Sequence, residues 1–221
     1  MLRFGNAERG AATVEFYLVA LLALLPLCLG MLQTALLLIA NHHVKHAAFM
    51  AVRAGANHHG DVGVIRREFA RVITPLFLES TGGIDRSNVV ARVTAAQLRA
   101  TIDVVPFARI RVLSPTIEAQ RDFGQLRDGS NVIPSDSLQY RDSSPGRSSG
   151  VSLQQANMLR VEITYCRPLV VPFVRGMMIG LLRRLDAIPA NQGCYADGRV
   201  PIRAVGTAPM QSDFRIIADP G

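Results

Sequence analysis

Between Ala11 and Ala40 the chain carries one charge, Glu15, in about thirty residues of mostly Leu, Ala and Val. Roughly 20 apolar residues suffice for a helix to cross a bilayer, and the uncharged stretch after Glu15 exceeds that length. A cleaved secretory signal has a shorter apolar core, basic residues before it and a small-x-small site after it. This run is too long for that, and its first turn holds an acid. It therefore predicts one N-terminal transmembrane helix. A chain of 221 residues then leaves room for a single modest domain beyond it.

The position of Glu15 is the second constraint. A carboxylate inside a bilayer helix costs on the order of 2.5–3.5 kcal/mol on insertion scales, less near the interface, so it needs a partner. A short polar leader, MLRFGNAERG, precedes it. Cleavage after Gly10 would turn Ala11 into a free α-amine and make Glu15 the fifth residue of the mature chain. The acid of one copy would then reach the amine of a neighbour.

The string Arg9-Gly10-Ala11-Ala12-Thr13-Val14-Glu15-Phe16 resembles the type IV pilin signal, and most closely that of TadE-like pseudopilins of the Flp/Tad pilus system. The stretch His46 to Ala56 is similar to the Ala-Ala-Arg-x-Gly-Ala segment that follows the helix in that family. Val200 to Val205 and Met210-Gln211-Ser212 look like its C-terminal pattern. The resemblance implies a processing site at Gly10 and Ala11, an assembly role for Glu15 and Phe16, and a structural rather than enzymatic protein. It implies as partners a prepilin peptidase, the major pilin, a sibling pseudopilin, the inner-membrane assembly platform and membrane lipid. The implied place is the bacterial inner membrane in a single pass, N-terminus cytoplasmic and C-terminal domain periplasmic, with incorporation into the pilus left open. Arg3 and Arg9 on one flank and Lys45 and Arg53 on the other do not decide orientation by charge; the short leader and the processing signal do. The rival reading is an uncleaved signal-anchored periplasmic binding or adaptor protein.

The expected organisation is a leader over 1–10, a transmembrane and assembly helix over 11–56 and an extracytoplasmic domain over 57–221. The fold class is α+β: a long N-terminal transmembrane helix, then a small antiparallel-sheet domain with short helices. Pro26 stands mid-membrane, where it removes one helix hydrogen bond and favours a bend. Val62 to Phe77 has helical spacing that Pro75 kinks or ends. Strands are expected at Val89–Thr94, Thr101–Val105 and Ala108–Val112 from their β-branched content and alternation. Ser114-Pro115 reads as an N-cap with Pro at the first helical position. Gly124 to Asn157, rich in Ser, Gly, Asp and Arg, reads as a long flexible loop. Leu159 to Tyr165 is the best strand, with Leu, Val, Ile and Tyr on one face, and Arg199 to Val205 another, with Pro201 hinting at an edge. Residues 169–182 are too short, and with Arg175 too charged, for a comfortable second crossing, and read as an interfacial or packed helix.

Other chemistries find little support. The net charge of +7 is carried by Arg scattered along the chain, with few aromatics and no Trp, which argues against a nucleic-acid surface. His42 and His46 stand four apart, a chelating spacing, but no third ligand has a fixed place. There is no G-x-S-x-G, no phosphate-binding loop and no dinucleotide fingerprint, so no catalytic residue, cofactor or metal is expected. Cys28 lies in the apolar run as a small hydrophobe. Cys166 and Cys194 lie in the exported domain and are the pairing candidates for a disulfide.

Overall fold

The computed structural model describes residues 8–78, 88–127, 129–171 and 173–215, with side chains from Thr13 onward. The chain folds as two units: Met1–Ala40 with Arg167–Val200, and Asn41–Cys166 with Pro201–Gly221.

The first unit begins with helix α1 (Glu8–Val19), a π turn (Ala20–Leu24) and the opening of helix α2 (Leu25–Asn57). The π turn has a local cause. Pro26 has no N–H to give to the residue one turn back, and its ring crowds that carbonyl. The turn before it widens, with the Leu25 N–H donating to the Ala20 carbonyl, so the helix passes the proline with one wide turn rather than a break. Further along the chain this unit holds helices α7 (Val174–Leu185) and α8 (Pro189–Ala196). The corner between them is tied by Asp186, whose carboxylate accepts from Ile188 N, Asn191 Nδ2 and the Tyr195 hydroxyl at 2.8–2.9 Å.

The second unit is the α+β body. Strands β1 (Ala108–Ser114), β4 (Met158–Pro168) and β5 (Arg199–Pro209) form one sheet in the order β1-β4-β5, with β1 antiparallel to β4. The alternation expected over Leu159–Tyr165 holds: Leu159, Val161, Ile163 and Tyr165 are all fully buried on one face. Pro201 sits on β5, an edge strand, where a missing N–H costs least. Helix α3 (Val62–Val72) is capped by Asp61, whose Oδ1 accepts from Gly63 N at 2.6 Å. It runs into a 3₁₀ turn (Thr74–Phe77) at Pro75, as its spacing predicted. Phe69 of α3 meets Tyr165 edge to face, ring centroids 5.9 Å apart.

Three local expectations are corrected. Val89–Thr94 and Thr101–Val105 are not strands but parts of one helix, α4 (Val89–Phe107). Ala96, Ala100 and Val104 recur every four residues and are its buried positions, packed with α3, so tertiary contact overrides the β-branched bias. The cap after β1 is Thr116, which accepts from Ala119 N to open α5 (Ile117–Phe123), while Ser114–Pro115 is a cis peptide at the end of β1. Finally, the segment read as one long loop contains β2 (Gln125–Arg127), β3 (Ser130–Ile133), a 3₁₀ turn (Leu138–Tyr140) and α6 (Leu153–Ala156). There β3 pairs with β2 on one side and with β6 (Phe214–Arg215) on the other, forming a second three-stranded sheet. Val132 and Ile133, two apolar residues in a polar segment, are its buried anchors.

Candidate assembly and anchoring site

The helix from Thr13 to Asn57 is 45 residues long, and its most apolar window is only 6% buried within the chain. At 1.5 Å per residue it extends about 67 Å, more than twice the ~30 Å hydrocarbon core of a bilayer. One part is therefore free to cross a membrane while the remainder stands outside it. Phe16, Tyr17, Leu21, Leu22 and Leu32 are more than half exposed, a density of bare apolar surface that a water-soluble helix does not carry. Glu15 lies exposed on this surface and has no partner among the described residues. Gly10 and Ala11 fall inside α1, five and four residues before it. Phe16, next to Glu15, meets Tyr17 edge to face at 5.9 Å.

Beyond Ala40 the same helix changes character, and the stretch resembling the family's Ala-rich segment explains how. Val44, Ala47, Ala48, Ala51, Val52 and Ala56 are buried, and the small ones let strand β5 come close. Gly206 of β5 sits where an added Cβ would lie 3.0 Å from the Ala48 carbonyl oxygen and 2.8 Å from Val52 Cγ2. Arg53 stays exposed and lies over the Phe49 ring, 5.7 Å from its centroid. Phe49, Arg53, Asn57, Thr207, Pro209 and Gln211 line an open groove of about 450 Å³ between helix and strand.

The Met210-Gln211-Ser212 segment closes this arrangement. The Ala56 carbonyl accepts from Gln211 N and from Ser212 Oγ, both at 3.1 Å, and Ser212 Oγ accepts in turn from His59 N at 2.8 Å. Orphan carbonyls at a helix C-terminus need donors, and here the far end of the chain supplies them. Sequence reasoning missed this role for His59 and Ser212, which are 153 residues apart. The left-handed φ of 57° at His59, held by Asp213 O against Nδ1 at 2.8 Å, marks where the helix turns off. Asp213 itself accepts from Arg127 Nη1 and from Ser135 N, each at 2.9 Å. Burial works against its ionisation, yet the Ser135 and Arg127 hydrogen bonds outweigh that and hold its pKa below the usual carboxylate range.

His42 and His46 are exposed on the helix, and among the described residues no group of three His, Cys, Asp or Glu is arranged to hold a metal. One buried carboxylate, Glu162 on β4, accepts from Arg203 Nε of β5 at 2.6 Å, with Arg111 of β1 3.9 Å away. Ion pairing across neighbouring strands accounts for its burial without invoking catalysis. Cys28 is free and exposed, whereas Cys166 and Cys194 are buried and disulfide-bonded.

Against known proteins, residues 10–53 match the profile of a family described as TadE-like protein. The match begins at Gly10 and runs through the apolar helix to Arg53. No curated protein and no solved structure matches the chain. The match agrees with the resemblance read from Gly10 to Phe16, and it covers most of the one helix among the described residues that is long and apolar enough to cross a membrane.

Proposed function

We propose that this chain is a structural minor pilin or pseudopilin of Tad pilus assembly, cut by a prepilin peptidase after Gly10 and anchored in the inner membrane with its α+β body outside. Leader, anchor helix and outer domain then divide at Gly10 and after Ala56. The observation that carries the reading is the family match that starts at Gly10 and covers a helix whose most apolar window is left almost bare by the rest of the chain. A bare apolar helix suits packing first against lipid and then against the helices of other pilins. Glu15 supplies the polar contact: buried among neighbours, it is tolerated only against a compensating charge, and the new amine of Ala11 on an adjacent processed subunit provides one. The partners are those of the assembly: the peptidase, the major pilin, a sibling pseudopilin and the membrane platform. No catalytic step is assigned to the chain.

Two substitutions that fail differently test this. A side chain at Gly10 obstructs access of the peptidase to the scissile bond, so Gly10→Val blocks leader removal, read as a mobility shift. Glu15→Leu leaves the bond unchanged and is still cleaved, but co-purifies less major pilin and lowers the pilus count. Normal processing of Gly10→Val, or normal pilus output from Glu15→Leu, refutes the proposal and favours an uncleaved signal anchor.

A further inference from the structure

Helix α7 exposes an apolar ridge that nothing among the described residues covers. Met177, Leu181 and Leu185 follow one another at four-residue intervals and are 64%, 57% and 72% exposed. They continue the arc of the buried Val174, so the helix has one broad apolar side of which part is packed and part is bare. Arg183 and Arg184 stand in its last turn and Arg175 in its first, all exposed. Just before the helix, Phe173 has a φ of 64° and is 90% exposed. A non-glycine residue in that region costs on the order of 1–3 kcal/mol and persists where something holds it there. In water, neither that backbone nor the bare ring has a compensating contact among the described residues.

The depth of this helix follows from one hydrogen bond. Gln33, almost fully buried on the apolar helix, accepts from Val171 N through Oε1 at 2.8 Å. Gln33 is eighteen residues after Glu15, about 27 Å along a helix and close to the thickness of the hydrocarbon core. With the Glu15 carboxylate at the inner boundary, Gln33 and Val171 fall at the outer one, and α7 begins three residues later. A deeper setting would carry Arg183 and Arg184 into hydrocarbon, which their charge opposes.

We infer that α7 lies along the outer face of the membrane as an interfacial amphipathic helix, its Phe173, Met177, Leu181 and Leu185 ridge in the acyl-chain boundary and its arginines among anionic headgroups. Phe, Met and Leu along one side with Arg at both ends of the helix is a composition that suits a membrane surface, where long basic side chains reach back to the headgroups, and arginine near the surface draws anionic lipid. The inference rests on the reading that the N-terminal helix spans the membrane. Its consequence is an anchor with two contacts, one through the bilayer and one along it, which limits rotation of the subunit about its helix before assembly.

The chain has no Trp, so an introduced one reports alone. Full-length Leu181→Trp, with Met177→Trp as a second reporter in case the first misfolds, is reconstituted in phosphatidylethanolamine–phosphatidylglycerol vesicles containing lipid brominated near the headgroup end of its chains. Leu22→Trp reports on the spanning helix and Tyr140→Trp on the outer body. The expected result is blue-shifted emission from the ridge reporters, most of it lost in brominated vesicles, together with quenching of Leu22→Trp and none of Tyr140→Trp. Water-like, unquenched emission from the ridge while Leu22→Trp is quenched overturns the inference and leaves the spanning helix intact. Blue-shifted emission that bromine does not reach also overturns it, because protein then covers the ridge. If Leu22→Trp itself escapes quenching, the spanning reading fails and the inference falls with it.

Discussion

Replacing Gly206 by Ala tests how closely strand β5 is pressed on the C-terminal half of helix α2. The added Cβ would lie 2.8 Å from Val52 Cγ2, 3.2 Å from Val52 Cβ and 3.0 Å from the Ala48 carbonyl oxygen. Carbon atoms rest about 3.5–4.0 Å apart, so the strand must retreat by roughly 1 Å or the Val52 side chain must leave its rotamer. Both Val52 and Ala48 are fully buried, and neither has free space to yield. Overpacking of this kind costs about 1–3 kcal/mol. Removing a glycine from a strand returns about 0.5–1 kcal/mol of backbone entropy, leaving a net loss of up to about 2.5 kcal/mol. For a chain of this size each kcal/mol moves Tm by about 2–4 °C, so a fall of up to about 10 °C is expected in circular-dichroism melts of the full-length protein in mild detergent. The Val52→Ala background supplies the control, since it removes the Cγ2 atom that the new methyl would strike. There Gly206→Ala should cost distinctly less, with a coupling energy of at least about 0.5 kcal/mol. A Tm that is raised by Gly206→Ala, or costs that simply add in the double variant, would refute the close approach of strand and helix.

Gln33→Leu leaves the Val171 N–H without its acceptor, at a cost of about 1–3 kcal/mol; limited proteolysis of the reconstituted protein should then cut near Arg175 faster than in the unsubstituted chain. We expect Cys166 and Cys194 to be joined to each other, contributing about 3 kcal/mol in the chain-entropy model, and a non-reducing peptide map that finds either as a free thiol would contradict this. Arg203→Met strips the buried Glu162 of its hydrogen-bonded partner and should cost about 1–3 kcal/mol, whereas Arg111→Met, at 3.9 Å and more exposed, should cost less; equal melting temperatures for the two variants would count against the assignment. Asp213 has a folded pKa below its unfolded value of about 3.9, so its contribution is fully present above that pH and is lost as pH falls through the folded pKa. Tm should therefore hold through neutral pH and drop below about pH 4, and Asp213→Asn should lower the neutral plateau while making the acid limb shallower.

The long N-terminal apolar helix was legible in the sequence because its pattern is local. Thirty residues with one charge define a membrane-length helix whatever surrounds it, and a glycine followed at the fifth place by Glu needs no tertiary context to be noticed. The alternation of Leu159, Val161, Ile163 and Tyr165 was legible for a similar reason: a strand with one wet face writes its period into its residues. Pro26 announced a disturbance but not its form, since a kink and a π turn answer the same missing hydrogen bond.

The rest was decided by partners distant in sequence. Val89 to Phe107 carries β-branched residues that favour strand, and it is helical because Ala96, Ala100 and Val104 give α3 a surface to pack on. The second sheet needs Ile133 opposite Phe214, a pairing that no window of local pattern contains. His59 and Ser212 look like unremarkable polar residues until the chain end returns to cap the helix at Ala56. The ridge on α7 belongs with these. Its residues spell a helix that would suit either a packed core or a lipid surface, and only the hydrogen bond from Val171 to Gln33 sets its depth, because burial is a property of what a face meets and not of the face alone.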